Sequence, residues 1–187
     1  MSLIKSISGI RGTIGGLPGD NLTPLDVVKF TAAYGSLLKE KQPRPSVVVG
    51  RDGRISGPLV HSLVVQTLIA LGIDVIDLGV STTPTVEFAV VEEKATGGII
   101  LTASHNPRQW NALKLLNKKG EFISAKRGEK VLALAEKKDF TVPEATIKGK
   151  ITLDDSYLVK HIVAILDYPL VNVKAIAKQE YRIVVDA

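Results

Sequence analysis

Short apolar runs alternate with longer stretches of helical periodicity along this chain, and that alternation most narrows what it can fold into. Thr23-Pro24-Leu25-Asp26 has the form of a helix start, with a capping hydroxyl, proline at the first position and an early acid. Apolar residues then recur at helical spacing through Val27, Val28, Phe30, Tyr34, Leu37 and Leu38. Residues 46–50 read as a short buried strand, 51–54 as a loop, 57–71 as a helix and 73–78 as a strand. Thr83-Pro84 opens another helix, to about residue 94, and 98–102 is again strand-like. Residues 112–116 and 121–123, around Asn117-Lys118-Lys119-Gly120, have the pattern of a hairpin, and helices follow over 124–137 and 154–166. Strands separated by helices imply an α/β fold, a mostly parallel sheet with helices covering it.

At 187 residues the chain can fill one core and part of a second. It has no cysteine, which excludes disulfides and thiolate metal sites. Met1-Ser2-Leu3-Ile4-Lys5 lacks a signal-peptide core, and no apolar run nears the roughly 20 residues a membrane span needs. The expectation is a cytoplasmic protein with no membrane partner. Tyr181-Arg182-Ile183-Val184-Val185-Asp186-Ala187 reads as a strand after a polar break. Two readings fit it: pairing back onto the first sheet, or the opening of a second domain, and the second is favoured.

The chemistry concentrates around Ser104. The apolar run that ends in Leu101-Thr102-Ala103 stops there, because Asn106 favours a turn and Pro107 has no backbone donor. A hydroxyl is thus expected at a strand end, beside His105, on the sheet edge where α/β proteins bind ligands. Between Ser104 and Lys130, the basic residues Arg108, Lys114, Lys118, Lys119, Lys126, Arg127 and Lys130 stand against Glu121 and Glu129. This stretch alone carries +5, the net charge of the whole chain. Most of these lysines suit a solvated face. A phosphorylated small molecule would also benefit from such a field, whereas nucleic acid is not expected, since few aromatics interleave the basic residues.

Several familiar sites are absent. The glycine-rich run from Gly9 to Gly16 has neither dinucleotide spacing nor a Walker lysine. Ser104 lacks the flanking glycines of a hydrolase elbow, and no histidine or carboxylate cluster has metal-ligand spacing. Three polar loops remain, at 8–12, 51–54 and 104–114. Arginine forks and lysine charges converging on a hydroxyl suit phosphoryl chemistry. Serine is a poor nucleophile unaided, and once phosphorylated it needs positive neighbours.

Thr102-Ala103-Ser104-His105-Asn106-Pro107, with Asn111 and Lys114, resembles the phosphoserine loop of the α-D-phosphohexomutases, which include phosphoglucomutase/phosphomannomutase and phosphoglucosamine mutase. Ser8-Gly9-Ile10-Arg11-Gly12 resembles their amino-terminal arginine loop, Gly50-Arg51-Asp52-Gly53-Arg54 their Gly-Arg-Asp motif, and Thr83-Pro84 with Phe88-Ala89 their Thr-Pro helix start. The serine loop is the specific motif; the others add weight together.

The resemblance implies a three-layer α/β/α sandwich with a mixed, mostly parallel sheet. It implies an intramolecular phosphotransferase acting as part of a longer chain, which interconverts hexose 1- and 6-phosphates through a hexose bisphosphate. Ser104 would carry the phosphoryl group, and Lys114 and Arg11 would position the reacting groups and assist proton transfer. His105 would serve as acid/base or orienting residue, or simply brace the serine. Ser8, Arg11 and Lys114 would contact substrate. Mg²⁺ would bind Ser104 through its phosphate, with its other ligands outside this chain. Two departures from the pattern stand out: Ala112 follows Asn111 where the family usually has glycine, and Gly53 stands where many members have threonine.

Family members have four domains. Residues 1–150 would be the first, and 151–187 connecting helices and the first strand of the second. The metal loop, the sugar-selecting loop and a phosphate-gripping loop of the later domains are not among these residues. The 187 residues alone are therefore expected to lack mutase turnover. Glucose or mannose phosphate is the leading substrate class, with phosphoglucosamine mutase as the alternative. A noncatalytic phosphosugar-binding module and a hydrolase using Ser104 are readings of other classes.

Overall fold

The computed structural model describes residues 2–6, 9–40, 42–137, 140–144, 146 and 148–186. The elements run β1 (Ile4–Ser6), β2 (Gly9–Thr13), α1 (Pro24–Lys39), β3 (Ser46–Arg51), α2 (Gly57–Ala70), β4 (Asp74–Val80) and α3 (Thr83–Glu92). There follow β5 (Gly97–Leu101), β6 (Trp110–Leu116), α4 (Ala125–Lys137), β7 (Ile151–Leu153), α5 (Tyr157–Leu166) and α6 (Val173–Ala177). The seven strands form one sheet in the order β1-β2-β6-β5-β3-β4-β7. β3 pairs in parallel with β4 and β5, and β4 with β7, while β1–β2, β2–β6 and β5–β6 are antiparallel. Five strands therefore share one direction, with β1 and β6 opposed, in the mixed sheet expected of an α/β fold.

Strand alternation divides the core in two, because successive side chains point to opposite faces. Val47, Val49, Ile99, Leu101, Leu113 and Leu115 pack with α1, α2 and α4 on one face. Val48, Ile100 and Leu116 face the other way, against Val86, Ala89 and Val90 of α3 and Tyr157 of α5. Tyr34 of α1 is fully buried and donates its hydroxyl to the Leu116 carbonyl at 2.6 Å and more weakly to Gly98 O at 3.3 Å. The hydroxyl comes this close to the sheet because position 97 has no side chain; a Cβ there would collide with it. Burial pushes the Tyr34 hydroxyl pKa far up, so it stays a donor. At the start of α1, Thr23 and Asp26 form a reciprocal capping box.

Three expectations need correction. Residues 9–13 are not a loop: they form β2, seated between β1 and β6, since backbone pairing on both sides satisfies this glycine-rich run. The second hairpin arm reduces to a single bridge, Leu116 to Phe122, with Ile123 N–H on Leu115 O, because the chain enters α4 at Ala125 before a longer arm can form. Residues 181–186 are exposed and form no strand. A short strand that sequence reading passed over, β7, extends the sheet beside β4, and α5 packs on α3 through Tyr157 and His161 against Phe88.

Candidate functional site

Because β3, β4 and β5 are parallel, their carboxyl ends meet at one sheet edge, and β6 begins there. Asp52 N–H donates to Leu101 O at 3.0 Å and Ser81 N–H to Arg51 O at 2.8 Å, stitching the loops at that edge together. Ser104 lies just beyond β5, exposed, with φ +54°. Left-handed backbone is uncommon for a residue with a Cβ and persists only where the surroundings impose it. Locally, Ser104 N–H donates to Thr102 Oγ1 at 3.0 Å, and Asn106 closes the turn by donating its backbone and side-chain amides to Ala103 O, at 3.0 and 2.8 Å. His105 is exposed. Asn111 is fully buried and donates to Ser56 Oγ at 2.9 Å while its own Oδ1 accepts from Ala112 N–H at 2.8 Å.

The strongest restraint on this loop comes from Arg54. Its Nη1 donates to Pro107 O at 2.8 Å and Trp110 O at 3.1 Å, and its Nη2 to Ser104 O and Asn106 O, both at 2.7 Å. Nε donates to Asp52 Oδ2 at 3.1 Å, and Asp52 Oδ1 accepts the Arg54 backbone N–H at 3.0 Å. Sequence reading placed Arg54 in a polar loop but gave it no role. The reach of its side chain across some fifty residues depends on how β3 and β5 pair, so the only local signal was the Asx turn at Asp52.

Arg11 and Lys114 share a sheet face. Arg11 pairs with Ala112, and Lys114 lies two residues further along β6, so both point with Ile100 toward the α3 side. Lys114 sits 5.8 Å over the Phe122 ring. Burial pushes the Glu87 carboxyl up, and the Lys114 charge acts against it. Arg11 Nε is buried and has no hydrogen-bond partner among the described residues. Among those residues, neither cation hydrogen-bonds Ser104. Ser8 lies outside the described residues.

The basic stretch does not act as one field. Lys118 and Lys119 are exposed on the turn after β6, while Lys126, Arg127 and Lys130 are on α4, beside Leu37 of α1 and Glu40, which caps its end. His61 pairs with Asp77 at 2.8 Å, and His161 bonds Thr85 Oγ1 at 3.0 Å and stacks on Phe88. Both imidazoles are thus committed to other partners. Ala112 does not adopt positive φ; it is an ordinary β6 residue, so the alanine after Asn111 imposes no strain.

A mixed sheet covered by helices on both faces, with a left-handed serine displayed past a central strand, defines a three-layer α/β/α domain. The family model for phosphoglucomutase/phosphomannomutase, alpha/beta/alpha domain I, matches residues 3–142, and the chain belongs to this family. A phosphoglucomutase/phosphomannomutase of Thermococcus kodakarensis is 37% identical over 94% of this chain and 38% of its own length. A phosphoglucosamine mutase of Levilactobacillus brevis is 35% identical over 79% of this chain and 33% of its own. Among solved structures, a putative phosphomannomutase from Thermus thermophilus superposes with TM-score 0.72 at 30% identity, covering 89% of this chain and 37% of that one. The chain thus spans between a third and two fifths of the length of these relatives.

Proposed function

We propose that this chain is the phosphoserine-bearing first domain of a phosphohexomutase that interconverts hexose 1- and 6-phosphates. The observation that carries the reading is Ser104 itself: an exposed hydroxyl, in left-handed backbone, on a loop tied down at a sheet edge in a chain of this family. In the forward half-reaction the phosphoryl group leaves Ser104 Oγ for a sugar hydroxyl, whose proton passes to the serine oxygen. The bisphosphate so formed reorients and returns its other phosphate to Ser104.

Phosphoryl transfer depends on positioning and on charge placed where it develops. Lys114 and Arg11, on one sheet face, are the cations suited to that task. His105, exposed beside the serine, has the freedom for an orienting or acid/base role; Ser8 completes the substrate contacts in this reading. Residues 1–150 are read as the domain proper and 151–187 as the connection to the next.

The Mg²⁺ that the family implies is not held by this chain alone. Among the described residues no three His, Cys, Asp or Glu side chains cluster, and no carboxylate hydrogen-bonds Ser104. Its other ligands would come from outside these residues, and no step above runs through it. Among the described residues no helix is long and apolar enough to cross a membrane. A cytoplasmic location, without nucleic-acid partners, fits the reading. Glucose or mannose phosphate is the leading substrate class; the relatives named phosphoglucosamine mutase favour an amino sugar as the second.

Intact-mass spectrometry after incubation with glucose 1,6-bisphosphate tests this. One stable phosphate gained by the wild type and none by Ser104→Ala supports the mutase reading. Ligand binding without phosphate gain points instead to a noncatalytic binding module, and an acyl adduct from an activated ester to a hydrolase. The 187 residues alone are expected to show no isomerisation of glucose 1-phosphate; turnover abolished by Ser104→Ala would refute that.

A further inference from the structure

We infer that Arg54 is the positioning residue that holds Ser104 in its left-handed conformation and so aims the hydroxyl. This rests on the reading of Ser104 as the phosphoryl carrier. A guanidinium has five N–H donors in a fixed planar fork. Here all five are used: one on the Asp52 carboxylate and four on the carbonyls of Ser104, Asn106, Pro107 and Trp110. The side chain is only 12% exposed, and Asp52, 28% exposed, is its sole ion-pair partner among the described residues.

The four carbonyls span the whole turn from Ser104 to the first residue of β6, so their directions are fixed together. The carbonyl of Ser104 is among them, and anchoring it fixes ψ at the residue whose φ is +54°. With every donor engaged, Arg54 also has no N–H left for a phosphate oxygen while the clamp is closed. It acts through the loop, as a positioner, and leaves direct phosphate contact to other cations. Lysine cannot replace it, since an ammonium has three donors and no planar fork.

The test compares wild type with Arg54→Lys in two measurements on the same chain. Hydrogen exchange is read at the Asn106 and Trp110 amides, whose acceptors, Ala103 O and Pro107 O, lie within the loop. Phosphoryl uptake from glucose 1,6-bisphosphate is read by intact mass. In that uptake the bond from phosphorus to the serine Oγ forms as the bond to the sugar oxygen breaks, and the hydroxyl proton goes to the sugar oxygen. Arg54→Lys is expected to speed loop exchange about tenfold or more, with β3 and β5 amides unchanged. Uptake should slow by a similar factor at saturating bisphosphate, with little change in the half-saturating concentration.

Unchanged loop exchange overturns the inference, whatever uptake does, because slow uptake alone would make Arg54 a phosphate ligand. Faster exchange with unchanged uptake overturns it too, reducing Arg54 to a structural brace. If the wild type of this chain takes up no phosphate, the exchange measurement alone decides: faster loop exchange in Arg54→Lys supports the inference and unchanged exchange overturns it. Should Arg54→Lys fail to fold, Asp52→Asn, which weakens the hold on Nε, is read by the same two measurements with an expected change of about threefold in each.

Discussion

Ser56→Ala is expected to destabilise the protein by about 2 kcal/mol, and the reason lies in what Ser56 does not do. Ser56 precedes α2 in the N-cap position, where a serine side chain ordinarily accepts from a helix N–H, and loss of such a cap costs about 0.5–2 kcal/mol. Here its backbone is already helical, at φ −76° and ψ −10°, and its side chain makes no capping bond. The hydroxyl instead accepts from Asn111 Nδ2 at 2.9 Å, so the substitution isolates one bond between α2 and the start of β6. Removing one partner leaves an amide donor unsatisfied at a fully buried asparagine, which costs about 1–3 kcal/mol of desolvation, with about 2 kcal/mol the middle of that range. For a chain of this size, about 2 kcal/mol lowers Tm by roughly 4–8 °C.

The assay is urea unfolding of Ser56→Ala, Asn111→Ala and the double variant. Asn111→Ala loses more, about 3 kcal/mol, because the bond from Ala112 N–H to Asn111 Oδ1 goes as well. The double variant cannot lose the shared bond twice, so a coupling of about 1 kcal/mol is expected. A Ser56→Ala cost within about 0.5 kcal/mol of zero, or a coupling near zero with unchanged m-values, would refute this reasoning.

Tyr34→Phe should cost about 1–2 kcal/mol, since it removes the donor to Leu116 O without opening a cavity; calorimetry showing no drop in Tm would contradict that. Asp26 is held below the usual carboxylate value of 3.8: burial acts upward, but hydrogen bonds from Thr23 and Gly19 and the Lys29 contact outweigh it. A depressed folded-state pKa stabilises above the unfolded value and is lost as pH falls through the folded one, so stability should decline below about pH 4. Asp26→Asn should flatten that decline, and an unchanged acid-unfolding profile would count against it.

Much of the site was legible in the sequence because its signals are local. A strand that must stop at Asn106-Pro107 displays Ser104 whatever the strand pairs with, and the Thr23 and Thr83-Pro84 helix starts are encoded within a few residues. β2 and β7 were missed for the complementary reason. Gly9-Ile10-Arg11-Gly12-Thr13 has no strand periodicity and becomes a strand only because β6 offers it a partner, and β7 is three exposed residues held by pairing to β4.

The sequence by itself determined the α/β alternation, the exposed serine at a strand end and the residues available around it. Tertiary structure alone decided which of those residues act together. Strand order brings the end of β3 beside the end of β5 and sets β6 on the other side of β5, carrying Arg54 under the Ser104 turn and Asn111 to Ser56. The same fold sends Lys126, Arg127 and Lys130 to α1 instead. Periodicity in a chain reports which face a side chain takes, whereas contact between loops fifty residues apart depends on strand neighbours, which no local pattern specifies.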